Sequence, residues 1–355
     1  MTRSGVATPE VIPAGVRFTE ARSILTPASG FIKAYRYTLN PYSGCRFACE
    51  YCYARAFAPT EEQRRTWGEW ASAKRNAARL IARACADGTL RSGDAVYMSS
   101  ATDPYQPAEQ RLRITRSILE TMLEHGVQPR LTVQTRSPIA ARDIDLFRQF
   151  ERVRVNITVT TDSERVRLRY ERSAPAIGVR LRTARALVEA GVPIGISVSP
   201  MLPMDDLEGF AREIAALEAA EYVSQYMQPP SRVFAAGTRV ETLRMAREDG
   251  WTPREYAEAR AVLERVLGPR RPLLEGDEGF APVPWPVAFD ANTRGAIRYD
   301  AALHSVDEQE GASHVGIIGE QRGTGRGTGQ PVERSDDHLG REPVRGDGHP
   351  RRPRG

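Results

Sequence analysis

Three of the four cysteines lie within one short run, and this run constrains the fold more than any other feature of the chain. Residues 40–55 read NPYSGCRFACEYCYAR, which gives Cys45, Cys49 and Cys52 the spacing C-x3-C-x2-C. Thiolates bind soft metals and iron–sulfur clusters, and this spacing lets a single loop surround one centre. A [4Fe–4S] cluster has four irons, so three cysteines leave one iron open for another ligand, as in catalytic metal sites. The run therefore predicts a metal–sulfur centre held by these three cysteines.

A structural zinc site is the main alternative, but it normally needs four protein ligands. Cys85 is the one spare thiol and falls on an alanine-rich predicted helix, and the five histidines show no ligand-like spacing to the run. A disulfide scaffold is excluded, because four cysteines in 355 residues are too few to staple a chain of this length. The cluster interpretation is favoured, and a zinc-binding module stays as the alternative.

The run resembles the radical S-adenosylmethionine (radical SAM) superfamily, whose members carry this spacing with an aromatic residue before the last cysteine; Tyr51 occupies that place. The flanking N-P-Y-x-G-C and Y-C-Y-A-R segments are similar to the branch that contains spore photoproduct lyase, a DNA repair photolyase-like group with many uncharacterised relatives. The resemblance covers about residues 33–228. It implies a [4Fe–4S] cluster on the three cysteines, SAM on the open iron, and Tyr51 packed beside the adenine.

Alternating apolar patterns predict parallel β/α units with right-handed crossovers. Helical patterns fall at 61–87, 107–124, 181–188 and 207–220, with another after Pro138. Six strands are predicted, at 35–39, 94–99, 130–134, 152–160, 192–199 and 222–227. Six units are fewer than the eight of a closed barrel. The sequence therefore predicts an α/β fold, a partial (β/α)6 barrel, which is also the fold that the resemblance implies.

Composition shifts divide the chain into four predicted segments. A leader covers 1–34, the barrel covers 35–228, and an extension over 229–317 contains a helix at 253–267 that begins with a capping box. The last segment, 318–355, is nearly free of apolar residues and is predicted to be a disordered tail.

The formal net charge is +5, which is compatible with a nucleic-acid partner. Since only two of the 50 basic residues are lysines, this charge also reflects a general preference for arginine and is weak support. No stretch approaches the roughly 18 apolar residues of a membrane helix, and the first residues lack a signal-peptide core. We therefore expect a cytoplasmic protein without a membrane partner, in keeping with the reducing environment that such a cluster needs.

Polar side chains follow the second predicted strand, where the carboxyl ends of barrel strands face the site. Ser100, Thr102 and Asp103 lie in the segment SSATDPYQPAE, residues 99–109, and suit the amino, carboxylate and ribose groups of SAM. Without further context this segment is only a polar turn after a strand. Its similarity to an S-x-T-D-P-Y-Q-P-x-E run of the relatives favours a cofactor-binding role.

Later strand ends supply four further candidate cofactor ligands. Arg136 follows the third strand and suits the SAM carboxylate as a charge-assisted fork, although it is also one of many arginines that could lie on the surface. Thr160 and Ser197 end the next two strands. Glu171 resembles the glutamate of an E-P-x-x-P…R-L element of the relatives, with an arginine in place of its first proline.

The resemblance also suggests how the reaction would end. In spore photoproduct lyases, a cysteine after the second strand returns a hydrogen atom to the product; here that position is Ser100, and an O–H group is a far poorer hydrogen-atom donor. Tyr51 and Tyr53 flank Cys52 as tyrosines do in the lyases, so a radical relay through them is compatible with the sequence.

These features predict a lyase-like radical SAM enzyme that takes hydrogen from an unidentified substrate. A nucleic acid, and a protein or small metabolite, are both compatible with the motifs. The reduction potentials of iron–sulfur clusters span about −700 to +450 mV, and the cleavage of SAM needs a potential at the low end of that range. An external reductant such as a flavodoxin or ferredoxin is therefore implied.

Overall fold

Six parallel strands form the centre of the computed structural model, which describes residues 12–230 and 237–283. All of these residues belong to one compact unit, Met1–Tyr299. The strands are β1 (Val16–Thr19), β2 (Leu25–Pro27), β3 (Tyr37–Leu39), β4 (Tyr42–Ser43), β5 (Ala71–Lys74), β6 (Ala95–Met98), β7 (Arg130–Thr135), β8 (Val153–Thr158), β9 (Ile194–Val198), β10 (Glu221–Ser224) and β11 (Leu273–Leu274). The helices are α1 (Glu61–Arg65), α2 (Ala77–Ala86), α3 (Glu109–Leu112), α4 (Ile114–Glu124), α5 (Ile144–Phe147), α6 (Glu164–Tyr170), α7 (Ile177–Glu189), α8 (Leu207–Ala215), α9 (Val240–Glu248) and α10 (Pro253–Leu267).

The main sheet contains eight strands in the order β11-β10-β9-β8-β7-β6-β3-β2. Neighbours from β3 to β10 pair in parallel, each joined to the next by a helical connection. At its two edges the sheet gains β2, antiparallel to β3, and the two-residue β11, parallel to β10. The α/β fold and the partial (β/α)6 barrel predicted from the sequence are confirmed, and all six predicted strands are present.

The two faces of the central strands differ in chemistry. In β8, Val153, Val155 and Ile157 belong to the apolar core under the helices. Because alternate residues of a strand point to opposite faces, Arg154, Asn156 and Thr158 share the other face, which lies inside the barrel. The fit there is close: a Cβ at Gly195 of the neighbouring strand would lie 2.3 Å from Asn156 Oδ1. The barrel interior is therefore polar and tightly packed.

The helix predicted over 61–87 is wrong. This segment forms α1, then β5, then α2, and β5 pairs with β1 and β4 in a separate three-stranded sheet. Gly68 explains the break, because its φ of +103° lies outside the helical region and its Cα approaches the cysteine run. A Cβ on Gly68 would lie 2.4 Å from the Cβ of Ala48.

Other predicted elements differ at their ends. The helix over 107–124 is two helices, α3 and α4, separated by Arg113 with a left-handed φ of +51°. The sixth strand ends at Ser224 and α8 ends at Ala215, both earlier than predicted.

The segments flanking the barrel also contain regular structure. β1 and β2 lie in the predicted leader, and α9 and α10 lie in the predicted extension, where Thr252 and Glu255 form the capping box of α10. The predicted tail over 318–355, together with 1–11, 231–236 and 284–317 of the predicted leader and extension, lies outside the described residues. Within the part of the chain that is described, no helix combines the length and the apolar character needed to cross a membrane.

Candidate functional site

The three predicted ligand cysteines lie on one loop, residues 44–53, which we call the cysteine loop. It follows β3 and the short β4, so it stands at the carboxyl end of the barrel strands. Cys45 and Cys49 are buried, whereas Cys52 is partly exposed. The loop begins at Gly44, whose φ is +76° and whose Cβ would lie 2.6 Å from the ring of Trp70. Only glycine fits this turn, so it fixes how the loop leaves the sheet.

The residues after β6 hold the start of the cysteine loop. Thr102 Oγ1 donates to the carbonyl of Gly44 at 2.5 Å, and Gln106 Nε2 donates to the same carbonyl at 3.4 Å. The backbone N–H of Arg46 donates to Gln106 Oε1 at 3.2 Å. Thr102 was predicted to bind the cofactor; here its hydroxyl binds the loop that carries the cysteines.

A second link between the same two segments is a buried carboxylate. Glu109 is fully buried and accepts hydrogen bonds from the Tyr42 hydroxyl at 2.5 Å, from Thr115 N at 3.0 Å and from Arg142 Nη2 at 2.8 Å. Tyr42 belongs to the N-P-Y segment before the cysteines, and Glu109 ends the polar segment after β6. The two sequence motifs therefore form one hydrogen-bonded unit.

The residues around the start of α9 hold the other end of the cysteine loop. Thr238 Oγ1 donates to the carbonyl of Tyr51 at 3.3 Å, and Thr242 Oγ1 donates to the carbonyl of Glu50 at 3.0 Å. Arg239 forms an ion pair with the Glu50 carboxylate. The sequence gives no signal for these contacts, which join positions 187 to 192 residues apart, so this role of the extension was missed.

Glu171 is the centre of a buried polar cluster beside the loop. Its Oε1 accepts hydrogen bonds from the Tyr51 hydroxyl, from Arg136 Nη1 and from Thr160 Oγ1, the last at 3.0 Å. Its Oε2 accepts from Arg180 Nη2 at 2.5 Å. Tyr51, Arg136, Thr160 and Glu171 were each predicted as cofactor ligands, and the structure brings all four together. Arg180 was not predicted, although it stands in the R-L pair that follows Glu171 in the motif.

The charges of this cluster are balanced in favour of the ionised carboxylate. Burial by itself raises the pKa of Glu171, but the guanidinium groups of Arg180 and Arg136 outweigh burial and lower that pKa to about 2. Arg136 also reaches the cysteine loop, because its Nη1 lies 3.1 Å from the Sγ of Cys49, a predicted ligand, and 2.7 Å from the Tyr51 hydroxyl. Arg136 therefore connects Glu171 to the cysteine loop.

The other predicted site residues lie near the same strand ends. Asp103 is buried, and its carboxylate accepts hydrogen bonds from Tyr105 N, Thr135 Oγ1 and Arg136 N at 2.9, 2.7 and 3.0 Å, so it ties the loop after β6 to the end of β7. Burial raises its pKa, and the hydrogen bond from Thr135 opposes that rise.

Ser100, Tyr53 and Ser197 complete the predicted set. Ser100 accepts from Asn40 Nδ2 at 3.3 Å through its hydroxyl and from the Tyr53 hydroxyl through its carbonyl. Tyr53 is 40% exposed. Ser197, on β9, is buried, and its hydroxyl has no hydrogen-bond partner among the described residues. An unsatisfied buried hydroxyl inside the barrel is what a polar ligand there would satisfy.

The donor set fits an iron–sulfur cluster. The three thiols share one loop, and burial raises the pKa of each of them in the protein alone. For Cys45 the negative charges of Asp103, Cys49 and Cys52 add to that effect, so the three thiolates repel one another. A bound polycation removes this repulsion and deprotonates the ligands. In the described residues, no group of three His, Cys, Asp or Glu side chains is close enough to hold a single metal ion.

The model of the radical SAM superfamily matches residues 39–214, from within β3 into α8. The chain belongs to this superfamily. The match contains the cysteine loop and nearly the whole barrel, and it supports an enzyme that binds SAM and an iron–sulfur cluster.

Two relatives carry the description of uncharacterised proteins. An uncharacterised protein of Methanocaldococcus jannaschii is 31% identical over 172 residues, which are 48% of this chain and 62% of that protein. An uncharacterised protein of Acidianus two-tailed virus is 31% identical over 195 residues, which are 50% of this chain and 63% of that protein. The radical SAM chain thus spans less than two thirds of these relatives.

A solved structure shows a related fold. The spore photoproduct lyase complexed with dinucleoside spore photoproduct is 14% identical with a TM-score of 0.53, covering 71% of this chain and 78% of that one. At this identity the likeness is one of fold.

Proposed function

We propose that the chain is a radical SAM enzyme in which Cys45, Cys49 and Cys52 hold a [4Fe–4S] cluster. The observation that carries this proposal is the cysteine loop itself, fixed at the carboxyl end of the strands and linked through Arg136 to the Glu171 cluster. When bound and reduced, the [4Fe–4S] cluster supplies the electron that splits SAM into methionine and a 5′-deoxyadenosyl radical, which takes a hydrogen atom from the substrate.

The protein residues have separate roles in binding the cluster and SAM. The thiolates of Cys45, Cys49 and Cys52 would hold the cluster and would leave one iron free of protein ligands to bind SAM. Arg136 has one nitrogen engaged by Glu171, Tyr51 and Cys49, and a guanidinium with five N–H donors keeps others for the SAM carboxylate. Ser197 supplies an unpaired hydroxyl inside the barrel.

The first experiment is anaerobic reconstitution with iron and sulfide, followed by dithionite and SAM. We expect methionine and 5′-deoxyadenosine from the wild type and none from Cys49→Ala. Cys85→Ala is the matched control, since Cys85 lies on α2 outside the loop and should leave the reaction unchanged. A colourless protein that binds zinc instead would overturn the proposal, because zinc is d¹⁰.

For the substrate, we favour a nucleic acid, handled in a lyase-like reaction. Spore photoproduct lyase, whose structure was solved with dinucleoside spore photoproduct, shares the fold. The described surface adds an aromatic pair, Tyr53 and Phe57, with ring centroids 6.0 Å apart in an edge-to-face arrangement. Tyr53 and Phe57 are 40% and 56% exposed and lie within five residues after Cys52, and the partly buried Arg55 lies between them in sequence. Exposed aromatic rings beside arginines are suited to stacking bases and binding phosphates.

Binding of ultraviolet-irradiated DNA measures this preference. Affinity should fall steeply with salt if phosphates are contacted. Phe57→Ala should weaken binding by about 1–3 kcal/mol, the range for one base-stacking aromatic. Leu168→Ala is the matched control, since Leu168 is an equally exposed apolar residue on α6. Equal affinity for all three proteins, or no binding of DNA, would favour a protein or small metabolite as the substrate.

A further inference from the structure

Four neutral polar residues form a row across four neighbouring strands of the barrel, near the carboxyl ends of these strands. Gln134 lies on β7 and Thr158 on β8, and Gln134 Nε2 donates to Thr158 Oγ1 at 2.7 Å. Ser197 of β9 pairs in register with Thr158. Ser99 directly follows β6, at the level of Gln134 in the pairing with β7. We call these four residues the polar row.

The inside of the barrel is open as far as Gln134. Its strand, β7, is a central one, paired with β6 on one side and β8 on the other. Leu131 and Val133 point into the apolar core under the helices, so Gln134 points inside the barrel. Gln134 is nevertheless partly exposed, whereas Thr132 and Arg154, deeper in the barrel, are buried. The opening at the carboxyl ends of the strands therefore extends to Gln134.

The carboxamide of Gln134 is held in one orientation and keeps unused hydrogen-bonding capacity. Its Oε1 accepts from the Tyr97 hydroxyl at 3.1 Å, and its Nε2 donates to Thr158. A carboxamide has two N–H groups and two acceptor lone pairs. One donor and one acceptor are thus left over among the described residues, and the two partners fix the directions in which they point.

Two buried hydroxyls of the polar row also lack partners. Ser99 and Ser197 are both buried, and neither hydroxyl has a hydrogen-bond partner among the described residues. Ser99 also has a φ of +80°, which residues other than glycine rarely adopt. Strained residues of this kind cluster at active sites and ligand clamps. Buried unsatisfied hydroxyls beside an open carboxamide indicate that the polar row binds a polar ligand.

The charges on either side of the polar row are compensated within the protein. Arg136 lies two residues beyond Gln134 and is paired with Glu171. Deeper in the barrel, Arg154 and Glu221 form a buried ion pair with an N–O distance of 2.7 Å. Burying a further net charge between these pairs would be costly. The part of a ligand that binds the row is therefore neutral.

We propose that the polar row binds the edge of a nucleobase of the substrate and that Gln134 recognises this edge; the inference deepens the proposed function and rests on it. A nucleobase carries a donor directly beside an acceptor on the same side of its ring, and a carboxamide pairs with both at once. A trans peptide bond directs its N–H and C=O to opposite sides, so one carboxamide cannot engage both. The geometry thus favours a nucleobase over a peptide backbone.

The polar row also has a suitable position for the reaction. Gln134 and Arg136 are two residues apart, which is about 7 Å along a strand. Arg136 in turn contacts Cys49 Sγ. A base bound to Gln134 therefore lies one layer deeper in the barrel than the guanidinium proposed to bind SAM.

The test measures what the N–H groups of the base contribute to binding. The probes are single-stranded hexanucleotides of thymine or N3-methylthymine, and of adenine or N6,N6-dimethyladenine. Methylation removes the N–H groups of the edge and leaves the sugar–phosphate backbone unchanged. Each probe is titrated anaerobically into cluster-loaded protein with SAM present, at one fixed salt concentration because phosphate contacts depend on salt.

The variant is Gln134→Met, and the matched control is Gln128→Met. The Gln128 side chain likewise accepts one hydrogen bond, from Glu151 N, and donates one, to the carbonyl of Gln149. It lies before β7, at the amino end of the strand and away from the polar row.

We expect the wild type to bind at least one natural base at least about tenfold more tightly than its methylated form, because a buried carboxamide left without its partner is costly. Gln134→Met should bind the natural and methylated probes equally, and Gln128→Met should discriminate as the wild type does. All three proteins should need the same SAM concentration to form 5′-deoxyadenosine with dithionite.

Equal binding of the natural and methylated probes by the wild type would overturn the proposal, and this result does not depend on any variant. Discrimination that survives in Gln134→Met, or that is lost equally in Gln128→Met, would overturn it too. So would a raised SAM requirement in Gln134→Met with unchanged discrimination, which would assign the polar row to the adenine of SAM. Failure of the proposed function is distinguishable, because the wild type would then form no 5′-deoxyadenosine or bind none of the four probes; either result overturns the inference as well.

Discussion

Glu171→Gln is the substitution whose effect follows most directly from the structure. The carboxylate is fully buried and faces two guanidinium groups, Arg136 and Arg180. Glutamine keeps the shape but removes the charge, and its amide nitrogen meets donors instead of acceptors. The fall of the Glu171 pKa from 4.5 to about 2 corresponds to about 3 kcal/mol in favour of the ionised folded form. Removing one partner of a buried pair costs about 3–5 kcal/mol, which agrees.

Equilibrium unfolding in urea at pH 7 measures this cost. We expect Glu171→Gln to lose about 3 kcal/mol in the free energy of unfolding. Glu208→Gln is the matched control, since Glu208 also faces two arginines, Arg212 and Arg265, but all three side chains are at least half exposed. Its loss should stay below about 1 kcal/mol because solvent screens the pair. Equal stability of Glu171→Gln and wild type would refute the account of the buried cluster.

The pH dependence separates lost charge from lost packing. Because folding lowers the pKa of Glu171, its contribution is complete above the unfolded pKa, near 4.5, and is lost as pH falls through the folded pKa, about 2. The wild type and Glu171→Gln should therefore converge in stability between these two values. A gap that stays constant over this interval would show that the substitution acts through packing and not through charge.

Three further predictions concern the supports of the cysteine loop. Gly68→Ala should lower iron incorporation strongly, because its Cβ would collide with the loop; Gly93→Ala, also at positive φ but in open space, should cost about 1 kcal/mol in stability and keep the iron. Tyr42→Phe should cost about 1.5–3 kcal/mol by removing a buried hydrogen bond to a carboxylate, whereas Tyr37→Phe, which loses an exposed one, should cost less than about 1 kcal/mol in urea unfolding. Thr242→Val should speed iron release to a chelator about fivefold, as the loss of a hydrogen bond worth about 1 kcal/mol implies, and an unchanged rate would contradict the role given to α9.

Much of the barrel could be predicted because its signals are local. Each central strand is a short run of residues that favour β-structure, followed by a turn and a helical pattern. The conformation of such a run can be predicted from its own residues. The segment over 61–87 failed because its helix-forming residues are overridden by Gly68, which is required where the backbone passes Ala48. The need for glycine at position 68 comes from a tertiary contact, so the residues next to Gly68 do not indicate it.

The same distinction between local sequence signals and tertiary contacts applies to the candidate site. The cysteine spacing is local, so its ligands could be named from the sequence. The supports are not local: the Tyr51 hydroxyl meets a carboxylate 120 positions away, and Thr242 meets the backbone of Glu50 across 192 positions. The polar segment after β6 illustrates the consequence, because Thr102 and Asp103 were assigned to SAM from residue type, position after a strand and resemblance, none of which reports their contacts. Their side chains bind the cysteine loop and the end of β7 instead, and whether they also contact SAM stays a prediction.

One carboxylate connects three residues that the sequence offered as separate SAM ligands. Tyr51, Arg136 and Thr160 all donate to Glu171 Oε1, so none of them is positioned independently of the others. A charged, buried network of this kind is costly to leave incomplete, which holds its members in a single arrangement. Because Arg136 also donates to Cys49 Sγ, the arrangement that orients the guanidinium proposed to bind SAM also places it against one of the proposed cluster ligands. Cluster and cofactor binding are therefore expected to be coupled through Glu171, although Glu171 makes no described hydrogen bond to any of the three cysteines.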